Sequence, residues 1–155
     1  MSALRLIRLA DAPHQLETIA IWNHAEWGAA QGYTREDSAA WFREMLRNPS
    51  EECVMAERDG SILGMASLVD HDLDQRPDLV HWLASVYVLP EHRGHGIAGK
   101  LVRAVEQEAE ARGISRLHLY TNTAESLYTR LGWTISERFS KKGKEFTLMV
   151  KDLSS

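Results

Sequence analysis

Arg93-Gly94-His95-Gly96-Ile97-Ala98 stands between an apolar strand-like run, Trp82 to Leu89, and a helical pattern that continues to about Arg112. The first amides of a helix have no partner within it, and the helix dipole favours an anion beside them. Two glycines at this turn omit the Cβ atoms that would hold a phosphate away from the backbone. The chemistry on offer is therefore backbone binding of a phosphate-bearing ligand. The spacing Gly94-x-Gly96-x-Ala98, late in the chain, departs from the Gly-x-Gly-x-x-Gly of dinucleotide-binding folds. Gly99-Lys100-Leu101 lacks the Ser/Thr of a nucleotide phosphate loop.

The elements around the turn alternate in type. Alternation predicts a strand over 3–9, and Asp11 with Pro13 predicts the cap and first turn of a helix running toward Trp27. The segment from Gly28 to Gly32 reads as a loop. Thr34 and Asp37 form a capping pair for a helix over 36–47, stopped by Asn48-Pro49. Asp59-Gly60 joins strands over 52–58 and 62–69 as a hairpin. An acidic loop, Asp70 to Asp78, leads into a central strand over 80–89. After the long helix, Gly113 takes the C′ position. A strand over 114–121, a short helix over 124–131 ended by Gly132, and strands over 133–139 and 145–150 complete the chain. The Lys141-Lys142-Gly143-Lys144 connection of the last two reads as a solvated basic turn. The order is mixed α/β.

Arg93-x-x-Gly96-x-Ala98 resembles the acyl-CoA-binding motif, Arg/Gln-x-x-Gly-x-Gly/Ala, of the GNAT superfamily of N-acetyltransferases. Ser85-Val86-Tyr87-Val88-Leu89-Pro90-Glu91 resembles that family's fourth strand and turn, and Leu117-His118-Leu119-Tyr120-Thr121 its fifth strand. Ser126-Leu127-Tyr128-Thr129-Arg130-Leu131-Gly132-Trp133 resembles its tyrosine-bearing helix and the Leu-Gly-Phe/Trp that follows. The likeness implies one domain over 1–155, with a mixed sheet of six to seven strands flanked by about four helices. It also implies acetyl-CoA as co-substrate, without a metal. The donor would be held by Val86, Tyr87 and Val88 of the strand, by Arg93, Gly94, His95, Gly96, Ile97, Ala98 and Gly99 of the turn, and by Asn122. The asparagine equally suits an N-cap for the helix after it.

The resemblance makes Tyr128 the general acid that protonates the leaving thiolate. Free thiols titrate near ~8.5 and tyrosine near ~10, so a tyrosine carries that proton at neutral pH. Deprotonating an alkyl amine at pH 7 takes ~4.6 kcal/mol, so a proton acceptor helps. The strand from Val80 to Val86 has no carboxylate, where the family often places a glutamate. His81 is the candidate base, with His71 and Asp72 behind it. Trp27, Tyr33 and Asp72 are candidates for the acceptor side, and Trp22 for the core. A CoA-binding regulatory module without transferase activity is the alternative.

Composition agrees with this reading. The chain has 155 residues, is 44% hydrophobic and 26% charged, and carries a formal net charge of -4, which argues against nucleic acid as partner. Its one cysteine, Cys53, excludes an intrachain disulfide and reads as a small buried residue. The N-terminal residues lack a signal core, and no apolar run reaches the roughly 20 residues of a membrane span. The expectation is a cytoplasmic enzyme with a small-molecule or peptide amine as acceptor, no membrane partner, and a homodimer left open.

Overall fold

The computed structural model describes residues 3–153. Among these, seven strands form one sheet: β1 (Arg5–Arg8), β2 (Glu52–Arg58), β3 (Ser61–Val69), β4 (Trp82–Val88), β5 (Arg116–Thr121), β6 (Thr134–Lys141) and β7 (Lys144–Asp152). Their order is β1-β2-β3-β4-β5-β7-β6, antiparallel throughout except for β4 beside β5. Four α-helices flank the sheet: α1 (Leu16–Asn23), α2 (Arg35–Met45), α3 (Ile97–Ala111) and α4 (Glu125–Arg130). This is the mixed α/β architecture that the sequence predicts.

Strand alternation sorts the sheet's side chains into two cores. Val54, Ala56, Leu63, Ala66, Leu68 and Leu83 face α3 and α4, where they meet Leu101, Val105 and Tyr128. Cys53, Met55, Met65, Val69 and Trp82 face α1 and α2, where they meet Ile19, Phe42 and Met45. Burial pushes the Cys53 thiol up to about 12, so it stays protonated, as a buried core residue should.

The local signals at the helix and hairpin ends hold. Thr34 Oγ1 accepts from the Asp37 amide at 3.0 Å, and Asp37 Oδ2 accepts from the Thr34 amide at 2.8 Å. The β2–β3 turn uses positive φ at both Asp59 (56°) and Gly60 (82°). Asp11, in contrast, caps no helix. Two short 3₁₀ turns, Leu9–Asp11 and Pro13–Gln15, occupy that stretch, and Asp11 accepts from Arg8 Nε at 3.0 Å. The helical path also continues past Asn23, through a π turn at His24–Gly28 and a 3₁₀ turn at Ala29–Gln31, to Gly32 at φ 83°. Thus 28–32 is wound rather than open loop.

Helix α3 clamps the two halves of the sheet. It packs on β2, β3 and β4, and reaches the other half through a buried polar cluster. Lys151 of β7 donates to Glu106 Oε1 (2.9 Å) and to the Leu131 carbonyl (2.8 Å), while Trp133 Nε1 donates to Glu106 Oε2 (3.2 Å). On the other half, Gly64 of β3 lets β4 come close. A Cβ there would lie 2.7 Å from the Tyr87 carbonyl oxygen and 3.1 Å from Leu101 Cδ1. Gly64→Ala is expected to destabilise the fold by about 1–3 kcal/mol. A urea midpoint equal to wild type would show that the β3–β4 contact yields freely.

Candidate active site

Strand β4 is interrupted at Ser85. Met65 pairs with Tyr87 and Ser67 with Ala84, so Ser85 and Val86 together oppose Ala66. Ser85 takes φ 56°, and the bulge reverses the alternation. Tyr87 now shares the α1/α2 face with Trp82 and Ala84, while Val86 and Val88 turn toward α3. Strand β4 pairs with β5 at one rung alone, Trp82 with His118, strengthened by the His118 amide donating to the His81 carbonyl (3.0 Å). Beyond that rung the strands part. The β5-facing backbone of β4 after the bulge has no strand opposite it.

The glycine turn stands at the open end of this split. Gly94 and Gly96 have φ of 81° and 80°, and a Cβ on either would meet no atom within 4 Å, so both glycines border open space. Gly96 is the N-cap of α3, and no side chain caps the helix amides. Ile97 is buried, leaving the turn's backbone to face outward. A groove of about 550 Å³ continues between α3 and α4, lined by Gly96, Gly99, Lys100, Arg103, Leu127 and Arg130 among others. Free amides, missing Cβ atoms and three cations fit a diphosphate-bearing ligand. Arg93 braces the turn: its Nε donates to the Val88 carbonyl at 2.8 Å, and its guanidinium lies 5.5 Å from the Tyr87 ring centre.

The model of the acetyltransferase (GNAT) family matches residues 16–133. The chain belongs to the GNAT acetyltransferase family. An L-methionine sulfoximine/L-methionine sulfone acetyltransferase of Pseudomonas aeruginosa is 31% identical over 138 residues, spanning 83% of this chain and 73% of the relative. The L-amino acid N-acyltransferase MnaT of Escherichia coli is 28% identical over 137 residues, spanning 84% and 74%. Among solved structures, an acetyltransferase of Salmonella typhimurium with acetyl-CoA superposes with a TM-score of 0.74 at 21% identity, covering 98% and 95% of the two chains. An aminoglycoside 6'-N-acetyltransferase with coenzyme A reaches 0.75 at 17%, covering 99% and 98%. As a GNAT acetyltransferase, the protein is an acyltransferase with acetyl-CoA as co-substrate and an amine as acceptor.

The GNAT fold here separates a face covered by α3 and α4 from a face covered by α1 and α2. Tyr128 of α4 lies on the α3 side, 7% exposed, edge-on to Trp133 at 6.3 Å, and burial pushes its hydroxyl up to about 12. Asn122 is exposed after β5 and does not cap α4. Thr121 Oγ1 accepts from the Ala124 amide at 3.0 Å instead. The opposite face is aromatic. Tyr87 meets Trp22 (5.5 Å) and Trp27 (6.4 Å), and Tyr120 meets Trp82 (6.2 Å), Phe139 (5.9 Å) and Phe146 (5.5 Å). Trp22 therefore belongs to the same wall as Trp27, whereas Tyr33 is 54% exposed.

The acidic loop between β3 and β4 is pinned rather than loose. Arg76 donates to Asp78 (3.1 Å) and to Glu137 of β6 (2.5 and 2.7 Å), and Leu73 is buried. Asp72 is half-buried, and burial pushes its carboxyl up to about 7 against the pull of Lys141. His81 stands at the paired end of β4, its Nδ1 3.3 Å from Asp70 Oδ1 but outside hydrogen-bond geometry. Burial favours the neutral form of Asp70, but hydrogen bonds from Ser50 and Asn48 and the nearby His81 outweigh it and lower its pKa. At ~3.3 Å per residue, His81 is about 13 Å along the strand from the Ser85 bulge.

Sequence reading passes over Ser85, Tyr120 and Lys141. Lys141 is half-buried against Tyr120, and only Lys142 and Gly143 make the tight turn, at φ 50° and 78°. No local signal marks any of the three.

For Gly96→Ala, positive φ costs roughly 1–2 kcal/mol, and the new methyl group enters the cradle. Acetyl-CoA is expected to raise the melting temperature of the wild type and to raise that of the variant markedly less at equal concentration. An undiminished shift would place the donor elsewhere.

Proposed function

We propose that the protein acetylates the primary amine of a small amino-acid-like molecule by direct attack within the β4–β5 split. The observation that carries this reading is the split itself, with a backbone cradle behind it and an aromatic wall in front. The similarity to acetyltransferases of L-methionine sulfoximine and L-methionine sulfone supports the acceptor class. The formal net charge of -4 favours a small molecule over a nucleic acid as acceptor.

The residues divide the work by face. The unpaired β4 backbone extends to the donor as a strand edge extends to a peptide, and its amides polarise the acyl carbonyl. Gly94 to Gly99 hold the diphosphate. Tyr128, on the donor face, holds the proton for the leaving sulfur. Its raised pKa keeps the phenol protonated at every physiological pH. It also makes the phenolate costly, so hydrogen-bond donation to the departing sulfur comes first and full transfer follows the release of the amine's proton. Asp72 is a better candidate than His81 to take that proton, because its charge reaches Tyr120 on the proposed acceptor face, whereas His81 stands at the paired end of β4, about 13 Å along the strand from the bulge.

Tyr128→Phe is expected to lower kcat by ~10²-fold or more while leaving the acetyl-CoA-induced rise in melting temperature intact. Unchanged turnover would remove the acid role. For Asp72 the ionised form is the competent one, so kcat/KM should rise with pH through about 7 and level off above it. Asp72→Asn should abolish that limb, whereas His81→Gln should retain it. The reverse pattern would return the base to His81.

A further inference from the structure

We infer that Lys141, the last residue of β6, selects an acceptor that carries a carboxylate next to its amine, with Asp72 receiving the amine end. This rests on the transferase reading above and assigns its specificity.

The donor side of the split is occupied by α3, α4 and the glycine turn, so an attacking amine must come from the opposite face. That face is bounded by Tyr87 on the β4 side and Tyr120 on the β5 side. Lys141 reaches onto Tyr120. Its Nζ donates to Tyr120 Oη at 3.2 Å and lies 5.1 Å from the ring centre. Among the described residues no carboxylate comes within 4 Å of this half-buried ammonium, although its neighbours Lys142 and Lys144 are exposed. A lysine free to extend into water has instead folded onto an aromatic wall and left its charge without an anion.

Asp72 feels the charge of Lys141, which pulls it toward ionisation, yet the two form no ion pair. The Asp72 charge also reaches Tyr120, so a carboxylate stands near this ring, more than 4 Å from the ammonium bonded to it. The gap is held open. Arg76 ties the loop that carries Asp72 to Glu137, on the same strand as Lys141, and Leu73 anchors the loop in the core. Two fixed charges of opposite sign, walled by Tyr120, Phe139 and Phe146, complement a zwitterion with an apolar or weakly polar side chain. A simple cationic amine would satisfy Asp72 and be repelled by Lys141.

The test compares L-methionine sulfone with its decarboxylated counterpart, 3-(methylsulfonyl)propylamine, on the wild type and on Lys141→Met, which keeps the apolar stem and removes the charge. The wild type should prefer the amino acid. Lys141→Met should raise KM for it by at least about tenfold, with little change in kcat, and should leave the decarboxylated amine unaffected or improved. Calorimetric titration of L-methionine sulfone into protein saturated with CoA should show the same loss of affinity without turnover. Melting curves of the unliganded proteins should differ by no more than the few degrees that the lost contact with Tyr120 accounts for. Equal losses on both acceptors would make Lys141 a structural residue and overturn the inference. A wild-type preference for the decarboxylated amine would overturn it while leaving the transferase intact. Absence of turnover with every amine, despite binding of acetyl-CoA, would overturn the transferase reading and this inference with it.

Discussion

The parting of β4 from β5 is the constraint on which the rest of the molecule depends, and it is made by one residue in an unfavoured conformation. Ser85 takes φ 56° without being glycine, at a cost of roughly 1–2 kcal/mol. That strain is offset by the pairing that resumes at once, with Met65 opposite Tyr87 and Gly64 opposite Val88. The bulge bends β4 away from its parallel neighbour and reverses which residues face which core. Unbulged alternation would turn Tyr87 toward α3 and Val86 toward α1. The aromatic wall would then lose the side chain that meets both Trp22 and Trp27, and Arg93 would lose the ring over which it folds.

A sheet opened along its middle needs another element to hold its halves, and α3 supplies it. Its apolar face spans β2 to β4, while Glu106 reaches the second half through Lys151 and Trp133. A buried ion pair is weak evidence for stability, because desolvation consumes much of the attraction. Its value here is geometric. Glu106 is 4% exposed and accepts from two residues of the β7 side, so the helix has one registry on that half. The same helix presents its N-terminus at the open end of the split. The element that keeps the halves together therefore also carries the glycine turn, and neither can shift without the other.

What the sequence disclosed follows the range of the forces involved. Thr34 with Asp37 and Asp59 with Gly60 act on their own backbone within three residues, so their composition suffices. Asp11 carries the composition of a cap but is claimed by Arg8 three residues back, and the nearby Ala10 amide donates to Glu52 from β2 (3.3 Å). That competition is tertiary. The bulge at Ser85 is silent because it is set by pairing with β3, some twenty residues away, and serine carries no preference for it. Lys141 sits among lysines of a polar turn, and only the return of β6 beside β7 and β5 brings it onto Tyr120.

The same distinction separates the glycine turn, which the sequence marks, from the aromatic face opposite, which it does not. In the proposed reading the diphosphate and amide arm of the donor are met by main-chain groups. Main-chain groups constrain sequence through conformation, which leaves glycines at fixed spacing, as at Gly94 and Gly96. In the proposed reading the acceptor meets side chains from separate elements: Trp22 in α1, Trp27 after it, Asp72 in the acidic loop, Tyr120 on β5 and Lys141 on β6. Each can change without disturbing the strand geometry that holds the donor, so no common spacing accumulates among them. Their charges also act through a half-buried, low-dielectric setting that no string of residues reveals. Burial, more than the neighbouring Asp74, brings the Asp72 carboxyl to about 7. In the proposed reading acceptor choice is thus decided where the chain folds back on itself, and donor choice where a helix begins.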